Sequence, residues 1–254
     1  MKKLKFEDQS KNWKIWDKKS TIERTFQRVK KTLPEMESAK QLLKILKPIY
    51  KKGDKVLDFG CAAGHFYHTL KRLDKDIIYY GFDSTKRYIE FGKKFFKKNK
   101  NIKFENQNLL SPKKKYKDRF DIVYCINVLH HLPSIDLALK NLLTATKKYC
   151  IIRTLISDNT HLSRFYYSDK TDKKGNLSTF QFQNTYSYNL IKKKIKKICK
   201  YKKISFLEDK YNFNTINKEF KKDKKNYPGI TRSLNNIQLS GSKIFQWKWI
   251  IIKK

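Results

Sequence analysis

Val56-Leu57-Asp58-Phe59-Gly60-Cys61-Ala62-Ala63-Gly64-His65 is the stretch on which the fold turns. Val56, Leu57 and Phe59 straddle Asp58, which reads as a buried strand. Gly60 and Gly64 follow at a spacing that suits a tight strand-to-helix turn. Phe66, Leu70 and Leu73 then recur at helical spacing, predicting a helix over 64–73. Glycine lets the backbone approach a ligand closely, and a helix start offers unpaired N–H groups. The combination predicts a nucleotide-binding corner.

Further strands and helices alternate downstream. A strand over 77–83 ends in Asp83, a helix over 85–98 carries Tyr88, Phe91 and Phe95, and a strand near 102–106 leads to Asn108. Residues 120–126 are almost continuously apolar, as a strand covered on both faces should be. Pro133 and Ser134 open a helix with Ile135, Leu139, Leu142 and Thr146 on one side, and a strand over 149–154 follows. Five strands alternating with helices predict a doubly wound, parallel α/β sheet.

The flanks are less regular. Residues 1–20 are basic and carry Trp13 and Trp16, either as a partly ordered arm or as a lid, because indoles at i and i+3 share a helix face. Ile22, Phe26 and Val29 suggest a short amphipathic helix bearing Arg24 and Arg28. Thr32-Leu33-Pro34-Glu35 has the pattern of a helix cap, with Met36, Ala39, Leu43, Leu46 and Tyr50 on the face behind it. After Thr154 the pattern breaks. A helix near 187–200 and strands over 203–211 and 244–252 are the remaining predicted elements. The expected organisation is a basic arm over 1–34 and one domain over 35–254, with insertions at about 155–185 and 212–243.

At 254 residues, with 39% apolar residues clustered and periodic, the chain can bury a core. Its 60 Lys and Arg against 23 Asp and Glu give a formal charge of +37. Such a field would attract nucleic acid or an anionic surface. The richness in Lys, Ile, Asn, Tyr and Phe is equally the usage of a very AT-rich genome. Cys61, Cys125, Cys150 and Cys199 form no CxxC pair and are expected as reduced, buried thiols; the histidines lack metal-ligand spacing, so no metal is expected. No apolar segment of signal or membrane-span length is visible, and a cytoplasmic protein is expected.

Three segments, in order, resemble the class I S-adenosylmethionine-dependent methyltransferases. They are Val56 to His65, Gly81-Phe82-Asp83, and Phe120-Asp121-Ile122-Val123-Tyr124-Cys125-Ile126-Asn127-Val128-Leu129-His130-His131-Leu132. The last is similar to the F-D-x-V-x-x-x-x-V-L-H-H-L stretch of the small-molecule branch. The resemblance covers about residues 35–155 and implies a Rossmann-like, mostly parallel seven-stranded sheet with an antiparallel last strand. Its ligands would lie at the carboxyl ends of the parallel strands. A nicotinamide dehydrogenase would want G-x-G-x-x-G, and here His65 stands where the third glycine belongs. Where the family usually has glycine, this chain has Ala62, whose methyl is expected to be tolerated if its φ stays negative.

The resemblance also implies roles. S-adenosyl-L-methionine would be the cofactor, held by Asp58 toward its ammonium and by Gly60, Ala62 and Gly64 through the turn. Asp83, with Ser84 after it, would accept the ribose hydroxyls, or else Asp83 caps the following helix. Asn108 and Leu109 would meet the adenine, Asn127 and Val128 the methionine moiety, and Arg28 the carboxylate unless it is a surface cation. His131 would be a general base if the acceptor must lose a proton; otherwise one of His130 and His131 packs and the other caps a turn. The expected reaction is methyl transfer to a small or medium-sized O, N or C acceptor. The alternatives are an RNA-modifying enzyme that uses the basic surface, or a non-catalytic relative. Nothing in the sequence names the acceptor.

Overall fold

The computed structural model describes Trp16 and residues 18–112, 116–166, 168–210, 231–234, 237–240 and 243–254. In chain order the elements are α1 (Lys19–Val29), α2 (Glu37–Leu46), β1 (Lys55–Phe59), α3 (Tyr67–Leu70), β2 (Ile78–Asp83), α4 (Lys86–Phe95), β3 (Ile102–Asn106) and β4 (Phe120–Ile126). They continue with α5 (Asp136–Ala145), β5 (Thr146–Ser157), β6 (Arg164–Tyr166), β7 (Phe180–Phe182), β8 (Tyr186–Ser187), α6 (Tyr188–Ile198), β9 (Lys203–Glu208), β10 (Thr231–Leu234), β11 (Ile237–Ser240), β12 (Lys243–Phe245) and β13 (Trp247–Lys253).

Seven strands form the central sheet in the order β3-β2-β1-β4-β5-β13-β9, and the two-residue β8 adds to the end of β5. The first five are parallel. β13 runs antiparallel between β5 and β9. The expected seven-stranded, mostly parallel sheet is therefore observed. The order reverses between β1 and β4, so a crevice opens at the carboxyl ends of those strands.

The apolar strands are explained by cover on both faces. Leu57, Phe59, Phe82, Val123, Cys125 and Ile152 face a layer containing α5 and α6, through Leu139, Leu142, Ile191 and Ile195. Val56, Tyr79, Ile122, Tyr124 and Ile151 face the other layer, where α1, α2 and α4 bring Val29, Leu42, Leu46, Tyr88 and Ile89. The alternation places Asp58 on the α1–α2 side, between Leu57 and Phe59 on the opposite side. At the amino ends of the strands Lys148 joins Asp54 (2.6 Å) and Asp121 (3.0 Å). Among the described residues no helix is long and apolar enough to cross a membrane.

Three local expectations are corrected. The helix predicted over 64–73 is regular only at Tyr67–Leu70, because tight i→i−3 bonds such as Tyr67 N–H to Gly64 O and Arg72 N–H to Thr69 O occupy its ends. The Thr32/Glu35 cap does not form. Thr32 Oγ1 donates to Gln27 O (3.1 Å) behind α1, and Glu35 accepts from Thr69 Oγ1 (2.5 Å) and Arg72 (2.5 Å). Residues 155–185, without predicted elements, contain the antiparallel β6–β7 pair. Most of 212–243 lies outside the described residues; its described parts are β10, β11 and the start of β12.

Phe104 of β3 is a packing constraint behind the crevice. A Cβ on Gly64 would lie 2.5 Å from its ring, on Gly81 2.8 Å, and on Gly92 3.0 Å. Three elements thus close on one aromatic ring because their glycines lack side chains. Gly81→Ala should lower stability by about 1–3 kcal/mol through overpacking against Phe104 and the Cys61 sulfur. A fall in the urea midpoint at unchanged slope is the expected result; an unshifted midpoint would refute the constraint.

Candidate active site

The turn after β1 is pinned to β2 by backbone and carboxylate together. Gly60 N–H and Cys61 N–H both donate to Phe82 O, at 2.7 and 3.0 Å. Ala62 N–H donates to Asp83 Oδ2 (2.9 Å), and Thr85 N–H to Asp83 Oδ1 (2.8 Å). One carboxylate therefore orders both the glycine turn and the entry to α4. Asn106 supports it from β3, its Nδ2 donating to Asp83 O and Ser84 O, each at 2.9 Å. Nothing in the sequence had singled out Asn106; its place at the end of a strand adjoining β2 was the available signal.

The turn needs left-handed backbone. Gly60 has φ +90° and Gly64 φ +84°. Ala62 has φ +49°, which overturns the expectation of a negative φ. With its N–H held by Asp83, this φ turns the chain that follows toward Gly64. An alanine accepts this at about 1 kcal/mol relative to glycine. Across the crevice a Cβ on Gly60 would stand 2.3 Å from Val128 Cγ2, so the turn and the residue after Asn127 meet without a spare methyl's width.

Asp58 is 3% exposed. The hydroxyls of Tyr79 and Tyr124 face its carboxyl, Tyr79 Oη donating to Oδ2 at 2.8 Å. Among the described residues no basic side chain pairs with it. Burial pushes its carboxyl up to about 7, against the opposing hydrogen bonds from the two tyrosines. Burial likewise raises half-buried Asp83 above the usual carboxylate range, opposed by the backbone N–H bonds from Thr85 and Ala62. A buried carboxyl with no basic partner among the described residues has the chemistry to receive a ligand's ammonium. The residues fit a nucleoside whose amino-acid end is charged.

Asp58, Gly60, Ala62, Gly64, Asp83 and Ser84 thus come together, and Val128 joins them through Gly60. Asn108 and Leu109 lie just beyond Gln107, whose N–H donates to Asp83 O (2.9 Å). Asn108 Oδ1 accepts from Leu110 N–H (2.9 Å), and Leu109 is buried with its carbonyl held by Asn141. Arg28 is placed differently. Its Nη1 donates to Pro34 O (2.9 Å), and it lines a cleft of about 470 Å³ with Lys31, His65, His68 and Arg72. Both ring nitrogens of His65 are buried there without a hydrogen-bond partner among the described residues. Burial, with Arg28 and His68 nearby, pulls its imidazole down to about 3 and keeps it neutral. His65 is a site candidate that the sequence reading used only to exclude a dehydrogenase.

His131 lies in a short 3₁₀ turn after β4, Leu129–His131. Its Nδ1 is 2.9 Å from Phe182 O on β7, and its ring meets Trp16 edge-on at 4.9 Å. A carbonyl only accepts, so Nδ1 carries the hydrogen and Nε2 the lone pair in the neutral ring. Trp16 in turn is held through its carbonyl by Tyr88 Oη (2.8 Å). Trp13 lies outside the described residues. His130 is buried against His131, and its carbonyl accepts from Asn184 N–H (2.8 Å).

Known proteins resemble this chain in sequence and in fold. A family model described as "Methyltransferase domain" matches residues 50–232, more than half of the chain. The tRNA U34 carboxymethyltransferase of Helicobacter pylori (strain Shi470) is 35% identical over 113 residues, 42% of each protein. The ubiquinone biosynthesis O-methyltransferase of Pelagibacter ubique is 32% identical over 100 residues, 38% of this chain and 39% of that one. The match therefore spans about two fifths of the length of these curated relatives. The structure of Haemonchus contortus phosphoethanolamine N-methyltransferase 2 with S-adenosyl-L-methionine is 14% identical. It superposes with a TM-score of 0.58 over 85% of this chain and 52% of that one, a likeness of fold.

Asp58 generates a signed pH prediction. Its carboxyl ionises near 4 in an unfolded chain and at about 7 when folded. Its contribution to stability is complete below pH about 4 and is lost as pH rises to about 7. Thermal unfolding of the free wild type and Asp58→Asn from pH 5 to 8 should show the wild type losing stability relative to the variant as pH rises. Parallel curves would contradict the uncompensated carboxyl.

Proposed function

The chain belongs to the class I S-adenosylmethionine-dependent methyltransferases, the methyltransferase-domain family, and from that premise we propose that it methylates a small or medium-sized acceptor by in-line displacement. One observation carries the assignment of the site. The buried Asp58 carboxyl, with no cation beside it among the described residues, and the half-buried Asp83 carboxyl flank one glycine turn at the switch point of the sheet. Asp58 takes the ammonium of the methionine end, and Asp83 accepts from the ribose hydroxyls while holding Ala62. Gly60 and Gly64 shape the turn itself, with Val128 and Phe104 packed where their side chains would stand. Arg28 and the neutral His65 receive the carboxylate in their shared cleft. With Asn108 Oδ1 engaged by Leu110, its Nδ2 faces the adenine as a donor above Leu109. Asn127 and Val128 line the methionine side.

The bound cofactor supplies an electrophilic methyl on sulfur with a neutral leaving group, so the protein's part is alignment and exclusion of water. Where the acceptor must lose a proton, His131 Nε2 takes it, with Nδ1 anchored on Phe182 O. Residues 1–34 and the insertions at about 155–185 and 212–243 frame the acceptor. Trp16 against His131 and β7 against the same ring support that division. The buried thiols Cys61, Cys125 and Cys150 suit a cytoplasmic setting.

A second reading is RNA as the acceptor. The charge of +37 and the relative named as a tRNA-modifying enzyme favour it. It requires binding that falls steeply with salt and exceeds binding to other polyanions. Equal affinity for RNA and heparin would remove this reading.

Titration calorimetry tests the cofactor assignment. S-adenosyl-L-methionine should bind the wild type in the micromolar range. Asp83→Ala should lose about a hundredfold or more, since charge-assisted hydrogen bonds contribute about 1.5–3 kcal/mol each. His131→Asn should keep that affinity and lose about a hundredfold in turnover. No binding by the wild type would overturn the assignment, and undiminished turnover in His131→Asn would overturn the base.

A further inference from the structure

Arg153, near the carboxyl end of β5, is a charged residue that neither the sequence reading nor the proposed chemistry uses, and it is 2% exposed. Its Nε donates to Asp209 Oδ2 and its Nη1 to Asn127 Oδ1. Its guanidinium stacks 4.2 Å from the ring centre of Trp247, with Trp249 at 5.9 Å. Asp209 Oδ1 accepts from Gln41 Nε2 (2.7 Å) on α2, and Gln41 Oε1 accepts from Trp249 Nε1 (3.0 Å) and Lys210 N–H (3.0 Å). Three segments, from the ends of β4 and β9 and the start of β13, meet on this cation of β5, and α2 joins through Gln41.

Eight of the 60 cationic residues in this chain are arginine, in a sequence that otherwise uses lysine. A buried position that bonds a carboxylate and an amide in one plane while stacking on an indole is one where lysine cannot substitute. The acceptor at the end of this fork is informative. Asn127 has φ +60°, a left-handed residue that is not glycine, and its N–H donates to Arg153 O (3.1 Å). Arg153 therefore grips Asn127 twice, by backbone and by side chain. The next residue is Val128, whose Cγ2 occupies the space a Cβ on Gly60 would need.

We propose that Arg153 is a positioning residue of the cofactor site, holding Asn127 in the left-handed turn that sets Val128 against Gly60. It touches neither cofactor nor acceptor and acts through Asn127. Asp209 and Trp247 hold its guanidinium in the required plane. The inference rests on the cofactor assignment above for its effect on binding, but its effect on the turn does not depend on any ligand.

The test combines a ligand-free and a ligand-bound measurement. In the free protein, Arg153→Lys should raise amide hydrogen exchange at Asn127 and His131 about tenfold or more, with the amides of Ile122 to Cys125 unchanged. It should weaken S-adenosyl-L-methionine about tenfold in calorimetry. In an Asn127→Gly background, where the left-handed turn needs no support, the same Arg153→Lys change should cost less than about threefold in either readout. Should Arg153→Lys fail to unfold cooperatively, hydrogen exchange in the free protein makes the comparison with the Arg153–Asp209 pair intact: Asn127→Ala should raise exchange at His131 more than Asn127→Gly does. Equal losses for Arg153→Lys in both backgrounds, or equal exchange at His131 in the alanine and glycine variants, would overturn the proposal. If the wild type binds no S-adenosyl-L-methionine, the cofactor assignment falls and hydrogen exchange alone decides the role of Arg153.

Discussion

The carboxylate of Asp83 is the constraint on which the site depends. It bonds the N–H groups of Ala62 and Thr85, one in the turn after β1 and one at the entry to α4. Ala62 is left-handed there, and the turn has three residues of positive φ between 60 and 64. In the proposed function the same group also accepts from a ribose. Binding and fold would then be coupled at one side chain, with the turn already in shape in the free protein. Preorganisation of this kind lowers the ordering cost of binding.

Around that corner the chain accepts strain and buried charge where a purely structural domain would avoid them. Asp58 is buried with no cation beside it among the described residues, Ala62 and Asn127 are left-handed without being glycine, and Arg153 and Asp209 form an ion pair inside the protein. Each costs stability on its own, and all lie at the carboxyl ends of the strands. At the amino ends, by contrast, Lys148 and Lys254 make ion pairs with Asp54, Asp121 and Asp118 that face solvent in part. The sheet has a plain end and a strained end, and the proposed site lies at the strained one.

The sheet was legible because buried parallel strands leave apolar runs, and 55–60, 77–83 and 120–126 are such runs, while 102–106 alternates as the edge strand β3 should. The glycines and Asp83 were legible because turn geometry and carboxylates leave few substitutes. What escaped was set by tertiary partners. Thr32 and Glu35 have the spacing of a cap, yet a hydrogen bond to Gln27 O and the pull of Thr69 and Arg72 win locally. Arg153 sits in an apolar strand, and only the arrival of Asp209, Asn127 and Trp247 from distant segments explains it. His65 and Asn106 likewise acquire meaning from neighbours that spacing does not reveal.

A crystal structure with S-adenosylhomocysteine decides whether Asp83 and Asp58 hold the cofactor. Both ribose hydroxyls should lie within hydrogen-bond reach of the Asp83 carboxylate and the ammonium on the Asp58 side of the glycine turn, with Ala62 N–H still on Asp83. A ligand seated elsewhere, or an Asp83 that meets only Ala62 and Thr85 in the complex, would contradict that assignment.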